Sequence, residues 1–244
     1  MITRLFTIAL LFSSLSLKAQ LRLDLESGLV LGTNYNEIRI PNQGGTFVNL
    51  NDRLSAKPTV FYRARLGYTI ANRHTVSLLY APLTVRYNGN FDQNVNFNNL
   101  LFPANRPVTV DYKFSSYRLT YRYDFVVSNR WRVGAGLTAK IRDANVQFAG
   151  ESGRTNFDNL GFVPLVNFYA AYKPGERFSF LLEGDALGSR FGRAEDIFAG
   201  GAYAISPAVS VKAGYRVVEG GADVDEIYNF TWINYASAGL LLSF

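Results

Sequence analysis

Alternation of apolar and polar side chains with a period of two residues constrains this chain more than any other feature. In 21–31 every odd position except Ser27 is leucine, and three even positions are charged: Arg22, Asp24 and Glu26. Successive side chains of a β-strand point to opposite faces. The segment therefore predicts a strand with one leucine-rich face and one charged face.

The same alternation recurs in 60–70, 117–125, 131–142 and 209–217. In each of these segments one face has no charged residue, and the other has at least two. After residue 17 no apolar run approaches the roughly 20 residues that a membrane-spanning helix needs. If the chain crosses a membrane, we expect it to cross with strands.

The first 19 residues have the pattern of a secretory signal peptide. Arg4 gives a basic start, 5–17 is apolar, and the small residue Ala19 precedes Gln20. The apolar stretch is too short to span a bilayer as a helix. We predict a cleaved signal peptide at 1–19 and one exported domain at 20–244.

Composition excludes several classes of function. The formal net charge is +6, but the basic residues form no runs, which argues against a nucleic-acid partner. The chain has no Cys, so disulfides, thiolate catalysis and Cys-ligated zinc are excluded. No cofactor and no metal is predicted. A length of 244 residues suits one large β domain.

Short and long connections alternate along the chain. Turn signals lie at 71–73, 128–130, 174–177 and 205–208, and longer polar connections lie at about 34–57, 88–107, 149–160, 188–195 and 219–227. This predicts about ten strands, with eight or twelve as alternatives, and places both termini on the short-turn side. Near Pro82, 115–116 and 143–144 the apolar residues change parity, which suggests β-bulges or bends.

The end of the chain carries the most specific motif. Ser237, Gly239, Leu242 and Phe244 resemble the C-terminal assembly signal of outer-membrane β-barrels. Segments 161–165, 214–216 and 228–230 resemble a family of small outer-membrane barrels without an established function. These resemblances imply an antiparallel up-and-down transmembrane barrel that the barrel-assembly machinery recognises, with short turns in the periplasm. They supply no catalytic residues.

A secreted lipocalin-like barrel is the alternative, with the leucines inside around a ligand and the arginines in water. The leucines of 21–31 are too large for a roomy cavity, whereas Gly, Ser and Thr beside Arg suit a crowded lumen. The membrane barrel is therefore preferred, with an inward-facing charge network. Its members are Arg22, Asp24, Glu26, Arg63, Arg65, Arg118, Arg122, Asp124, Arg132, Lys140, Arg142, Glu183, Asp185, Lys212 and Arg216.

Two other groups are candidates for chemistry. An acidic cluster is predicted on the outer loops. Arg190 and Arg193 lie beside it and are better partners for its carboxylates than Ca²⁺. Its members are Glu195, Asp196, Glu219, Asp223, Asp225 and Glu226. The single histidine, His74, adjoins a short turn, at the wrong end for an outer-leaflet catalytic site, and Ser77 points away from it.

The prediction from sequence is a monomeric, non-enzymatic outer-membrane protein. Buried charges must be paired, so the lumen is expected to be salt-bridged and mostly closed. The protein is therefore expected to act as a structural element of the membrane or to interact with partners through its outer loops. The expected partners are outer-membrane lipids and lipopolysaccharide. A narrow pore for small anions is the alternative, and an enzyme acting on envelope lipid comes third.

Overall fold

The computed structural model describes residues 20–190 and 192–244, so the predicted signal peptide lies outside the described residues. Most of the described chain is in strands, and all strands of two or three residues lie between residues 48 and 102. In chain order the elements are β1 Gln20–Arg39, β2 Val48–Asn49, α1 Leu50–Arg53, β3 Leu54–Ala56, β4 Val60–Ile70, β5 His74–Ala81, β6 Thr84–Asn90, β7 Val95–Phe97, β8 Leu100–Phe102, β9 Pro107–Val127, β10 Trp131–Gly150, β11 Gly153–Tyr172, β12 Phe178–Ser189, β13 Gly192–Ala204, β14 Val209–Val224 and β15 Ile227–Ser243.

The long strands form a closed antiparallel barrel. The order is β1, β4, β5, β9, β10, β11, β12, β13, β14 and β15, and β15 pairs with β1 to close the circle. β6 continues β5 along the same neighbour, β9, so the two count as one strand of the wall. The prediction of ten strands in an up-and-down barrel is confirmed. None of the helices in the described part of the chain is long and apolar enough to cross a membrane.

The two ends of the barrel differ. The predicted turns at 71–73, 128–130, 174–177 and 205–208 lie together with Gln20 and Phe244 at what we call the short-turn end. At the opposite hairpin end, three predicted loops are instead mostly strand: β10 runs to Gly150, β12 to Ser189 and β14 to Val224. Their polar composition reflects strands exposed to water on the outside, not irregular backbone.

An apolar band surrounds the half of the barrel at the short-turn end. Its outward side chains include Leu137, Phe162 and Leu160, which are 69%, 65% and 74% exposed. Aromatic rings edge the band: Trp131 packs on Tyr172 near the short turns, and Tyr80 stacks on Tyr117 toward the hairpin end. Exposed apolar strands with aromatic borders are typical of a transmembrane barrel. The lipocalin-like alternative, with the leucines inside, is therefore wrong.

The changes of apolar parity are not bulges. Ala81 pairs with Ser116, and Thr84 pairs with Lys113. The two pairs are three residues apart on both strands, so no residue is inserted at Pro82. The pairing of β10 with β11 is likewise unbroken through Asp143. Side chains keep their inward and outward alternation, but the apolar set moves from the outer to the inner face. This change marks where each strand leaves the apolar band and enters water.

Above that boundary the lumen is filled by an apolar core, which we call the cap. Its centre is Phe148, which is fully buried and packs against the rings of Phe91, Phe97 and Phe102. The connections 40–57 and 91–105 fold into the barrel mouth to complete it. The buried members are Ile38, Ile40, Val48, Leu50, Leu54, Phe61, Leu83, Val85, Tyr87, Phe91, Val95, Phe97, Phe102, Val108, Val110, Tyr112, Phe114, Val146, Phe148, Val218, Ile233 and Tyr235.

Candidate functional site: the charged lumen

Below the cap, Asp196 collects three arginines at the centre of the lumen. Arg63 Nη2 and Arg118 Nη2 lie 2.9 and 2.6 Å from its Oδ2, and Arg216 Nη1 binds its Oδ1. All four side chains are almost completely buried, and they come from β4, β9, β14 and β13. Because the strands surround the lumen, charges far apart in sequence meet across it.

Glu26 of β1 forms a second centre beside the first. Arg216 donates from Nε and Nη2 to its two carboxylate oxygens at 2.6 and 2.7 Å. Lys212 Nζ lies 2.8 Å from Glu26 and 2.8 Å from Asp24. Both basic residues lie on β14, so they reach over β15 to meet β1. Gly239 of β15 leaves room for this crossing, since a Cβ there would lie 3.1 Å from Lys212 Cε.

Asp185 anchors the network on β12. It accepts from Arg118 Nη1 at 2.6 Å, Thr138 Oγ1 at 2.6 Å and Asn167 Nδ2 at 2.8 Å. Glu183, two residues earlier, lies 3.8 Å from Lys212 and 3.7 Å from Arg216. The lumen is thus bridged from wall to wall by hydrogen-bonded charges, the condition under which buried ions are tolerated.

A separate ion cluster lies at the short-turn rim. Asp124 is fully buried and accepts from Arg122 Nε at 2.7 Å and Arg132 Nε at 2.6 Å. Arg132 also donates to the backbone oxygen of Asn72, in a neighbouring turn. The cluster connects the turns at 71–73 and 128–130 to the barrel wall.

Four predicted basic members of the network stand apart. Within the described residues, Arg22, Arg65, Lys140 and Arg142 have no carboxylate within 4.0 Å. Lys140 Nζ lies 4.9 Å from the centre of the Phe114 ring, and Arg142 donates to Asn159. Arg22 and Arg65 border a cavity of about 540 Å³ that opens at the short-turn end.

The structure removes one of the six acids predicted as an outer cluster and divides the others into two groups. Asp196 was predicted on an outer loop, and this is corrected: β13 begins at Gly192, so Asp196 points into the lumen. The other five form two groups. Glu195 and Glu219 are cross-strand partners on β13 and β14. Asp223, Asp225 and Glu226 lie at the tip of the β14–β15 hairpin, where Asp223 accepts from Asn42 Nδ2 at 2.8 Å. No group of three or more potential metal ligands occurs among residues 20–190 and 192–244.

Glu219 lies in a polar contact on the outer wall, above the apolar band, with the predicted partner Arg193 and with Tyr35, which the sequence did not suggest. It accepts from Arg193 Nε at 2.8 Å and from the Tyr35 hydroxyl. Partial burial, together with the hydrogen bond to Glu219, raises the pKa of Tyr35 to about 12. The phenol therefore stays neutral and remains a donor at physiological pH.

The remaining predicted residues lie at the short-turn end. His74 is the first residue of β5, and its Nδ1 lies 2.9 Å from the Tyr121 hydroxyl. Of the predicted assembly signal, Ser237, Gly239 and Leu242 belong to β15, which pairs with β1. Phe244 follows the strand and is 72% exposed, and its backbone nitrogen donates to Leu21 at 2.9 Å.

No protein-family model and no curated protein matches the chain. The outer membrane protease OmpT from Escherichia coli matches in structure with a TM-score of 0.50 and 10% identity, over 94% of this chain and 98% of that chain. Neisserial surface protein A matches with a TM-score of 0.34 and 16% identity, over 93% and 97%. Ail from Yersinia pestis, in complex with the heparin analogue sucrose octasulfate, matches with a TM-score of 0.36 and 12% identity, over 92% and 99%.

At 10% identity, the likeness to OmpT concerns the course of the backbone and not the activity. It agrees with the closed circle of ten antiparallel strands and with the outward apolar band. The chain has the fold of the outer-membrane β-barrel proteins.

Proposed function

We propose that the protein is a closed, non-conducting barrel of the outer membrane that acts as a structural or interaction element through its hairpin end. In this proposal the short turns and both termini lie in the periplasm. The hairpins then project beyond the outer leaflet, where lipopolysaccharide and external partners are available. A cleaved signal peptide, the barrel-assembly machinery as an assembly partner and a monomeric state complete the proposal.

The observation that carries it is closure of the lumen at two successive levels. The ion network around Asp196 and Glu26 bridges the wall within the apolar band, and the cap around Phe148 fills the lumen above it. A conducting pore needs a continuous aqueous path. Buried side chains occupy that path at both levels, so we favour the closed barrel over the narrow anion pore.

An enzymatic role has less support. His74 lies at the short-turn end, with the apolar band between it and the hairpins. The protease in the comparison shares the backbone fold, and a fold does not determine an activity. We therefore propose a non-enzymatic protein. An unchanged mass profile of envelope lipid A in cells with and without the protein is the result expected.

Planar bilayers test the closed lumen. We expect no stable current steps after reconstitution of the folded protein, because the network and the cap leave no aqueous path. A general porin reconstituted in the same lipid provides the positive control. Reproducible single-channel steps from the purified protein, absent from a heat-denatured sample, would make the anion pore the better proposal.

Thiol labelling tests the membrane boundary. Because the chain has no cysteine, each introduced cysteine is the only site of labelling. We expect Leu137→Cys in vesicles to react with a water-soluble maleimide at about a tenth or less of the rate of Ser152→Cys, because water is excluded from the hydrocarbon region. Leu137 lies in the apolar band, and Ser152 lies in the turn between β10 and β11. Equal rates would show that the band faces water.

A further inference from the structure

The cavity at the short-turn end, which we call the vestibule, has two unlike walls. Arg22, Arg65 and Arg122 line one wall, on β1, β4 and β9. The other wall, on β11, β12, β13 and β15, contains the apolar side chains Ala171, Leu181, Ala202 and Leu241, with Ser179 and Glu183 beside them. We call it the apolar wall after the first four. The ion network closes the vestibule toward the hairpin end, so it is a pocket with one mouth.

Arg22 and Arg65 lie close together on the basic wall. Arg22 pairs with Gly67 across β1 and β4, and Arg65 pairs with Asp24, so the two arginines are diagonal neighbours. Such neighbours lie about 7–8 Å apart, within reach of a shared ligand for long side chains. Gly67 has no side chain and leaves the space beside Arg22 open.

Two of the three carboxylates that line the vestibule already have other partners, and the third, Glu176, lies in the turn 174–177 at its mouth. Asp24 binds Lys212 at 2.8 Å, and Glu183 lies 3.8 Å from Lys212 and 3.7 Å from Arg216. Asp24 and Glu183 therefore act on Arg65 only over a longer distance, and neither comes within 4.0 Å of it. Deeper in the lumen every carboxylate of the network contacts a cation, whereas these two guanidiniums border the open pocket, where Arg22 also hydrogen-bonds to Tyr169.

Arg122 adds a third feature on the same wall. Its guanidinium stacks 4.1 Å from the centre of the Tyr169 ring and binds Asp124 at 2.7 Å. These contacts hold the guanidinium at the border between the basic and the apolar walls. Guanidinium groups match the geometry of carboxylate and phosphate oxygens.

We propose that the vestibule binds a small amphipathic anion. An oxyanion headgroup, carboxylate or phosphate, is held by Arg22 and Arg65, and an apolar body lies against Ala171, Leu181, Ala202 and Leu241. The volume of about 540 Å³ suits a molecule of this kind, since small-molecule pockets span roughly 300–1,000 Å³. The ligand enters and leaves by the short-turn mouth without crossing the barrel.

Calorimetric titration of the full barrel in an uncharged detergent tests the proposal, with phenyl phosphate and benzoate as probes. Inorganic phosphate tests the need for the apolar body, and benzylamine tests the sign of the charge. Arg22→Gln and Arg65→Gln are each expected to weaken binding about tenfold or more, since each removes a charge-assisted hydrogen bond. Arg86→Gln, on the exposed outer wall, is the matched control and leaves binding unchanged.

A second measurement does not depend on how the arginine variants fold. Ser210→Cys places the only thiol on the vestibule wall, and Ser152→Cys places it on the outer turn. For each variant the quantity measured is the rate of reaction with an anionic thiosulfonate divided by the rate with a cationic one. This ratio is expected to be about tenfold higher for Ser210→Cys than for Ser152→Cys, because a basic cleft concentrates anions. Phenyl phosphate should protect Ser210→Cys alone.

Any one of four results would overturn the proposal. Wild-type affinity in a folded Arg22→Gln or Arg65→Gln barrel would remove the basic wall from binding. Equal affinity for benzylamine and benzoate, or equal thiosulfonate preference at the two cysteines, would show that the vestibule does not select anions. Inorganic phosphate binding as tightly as phenyl phosphate would show that the apolar wall contributes nothing.

Discussion

Replacing Asp196 with Asn is expected to destabilise the barrel by about 3–5 kcal/mol, the largest loss we expect from one polar substitution. Asp196 neutralises Arg63, Arg118 and Arg216 in the centre of the lumen. Asparagine keeps the shape but removes the charge, so three buried guanidiniums lose their common partner. Urea-induced unfolding of the barrel in lipid vesicles measures the change in the free energy of unfolding.

Asp111→Asn is the matched control for this substitution. Asp111 binds Arg86 at 2.6 Å, in the same type of ion pair, but on the solvent-exposed outer wall where Arg86 is 53% exposed. An exposed pair contributes only about 0–1 kcal/mol. If Asp196→Asn cost no more than Asp111→Asn, the lumen charges would be solvated, and the closed lumen would have to be abandoned.

Replacing Phe148 with Ala is expected to cost about 3–5 kcal/mol through a different mechanism, the cavity left in the cap. Phe148 is fully buried and stacks on Phe97 with ring centres 4.0 Å apart. Phe91 and Phe102 also pack on it, and both belong to the connection 91–105, so the substitution loosens that connection. The urea midpoint measures the loss, and proteolysis within 91–105 is expected to become faster.

Phe47→Ala provides the comparison, because Phe47 lies in the other cap connection and is 45% exposed. A loss below about 1 kcal/mol is expected there, since surface substitutions have small effects. Similar losses for the two variants would mean that 91–105 does not pack into the barrel mouth, and the upper closure of the lumen would no longer be supported.

The wall of the barrel could be predicted from the sequence because its cause is local. The period of two identifies the strands, and the restriction of charges to one face identifies the side that points into the lumen. The turn residues between the strands give their number. The same reliance on local pattern failed for the parts of the strands that extend beyond the apolar band at the hairpin end. Strands outside the apolar band have polar outer faces, so 149–160 and 219–227 had the composition of loops.

The parity change near Pro82 was open to two physical causes. An inserted residue and a change of solvent both move apolar residues to the other face. Only the pairing of Thr84 with Lys113 separates them, and pairing is not a local property. Asp196 was misplaced for a related reason. Its position depends on β13 starting at Gly192, and its role depends on arginines of three other strands.

The cap could not be predicted, because its parts are short and come from distant segments. The helix α1 has four residues and the strands β7 and β8 have three each, too few for a periodic signal. They are ordered by contact with Phe148 and its neighbours on the long strands, which only the closed barrel brings together.

The ion pairs that pass over β15 have a consequence for assembly. Lys212 and Arg216 bind Asp24 and Glu26, so they join the penultimate strand of the wall to the first one. Asp196 and Glu183 also contact these two cations from β13 and β12, whereas Asp24 and Glu26 contact them across the junction of β1 and β15. Complete pairing of these charges therefore requires β15 to close against β1. Separation of these two strands within lipid would break the ion pairs of Lys212 and Arg216 with Asp24 and Glu26 together.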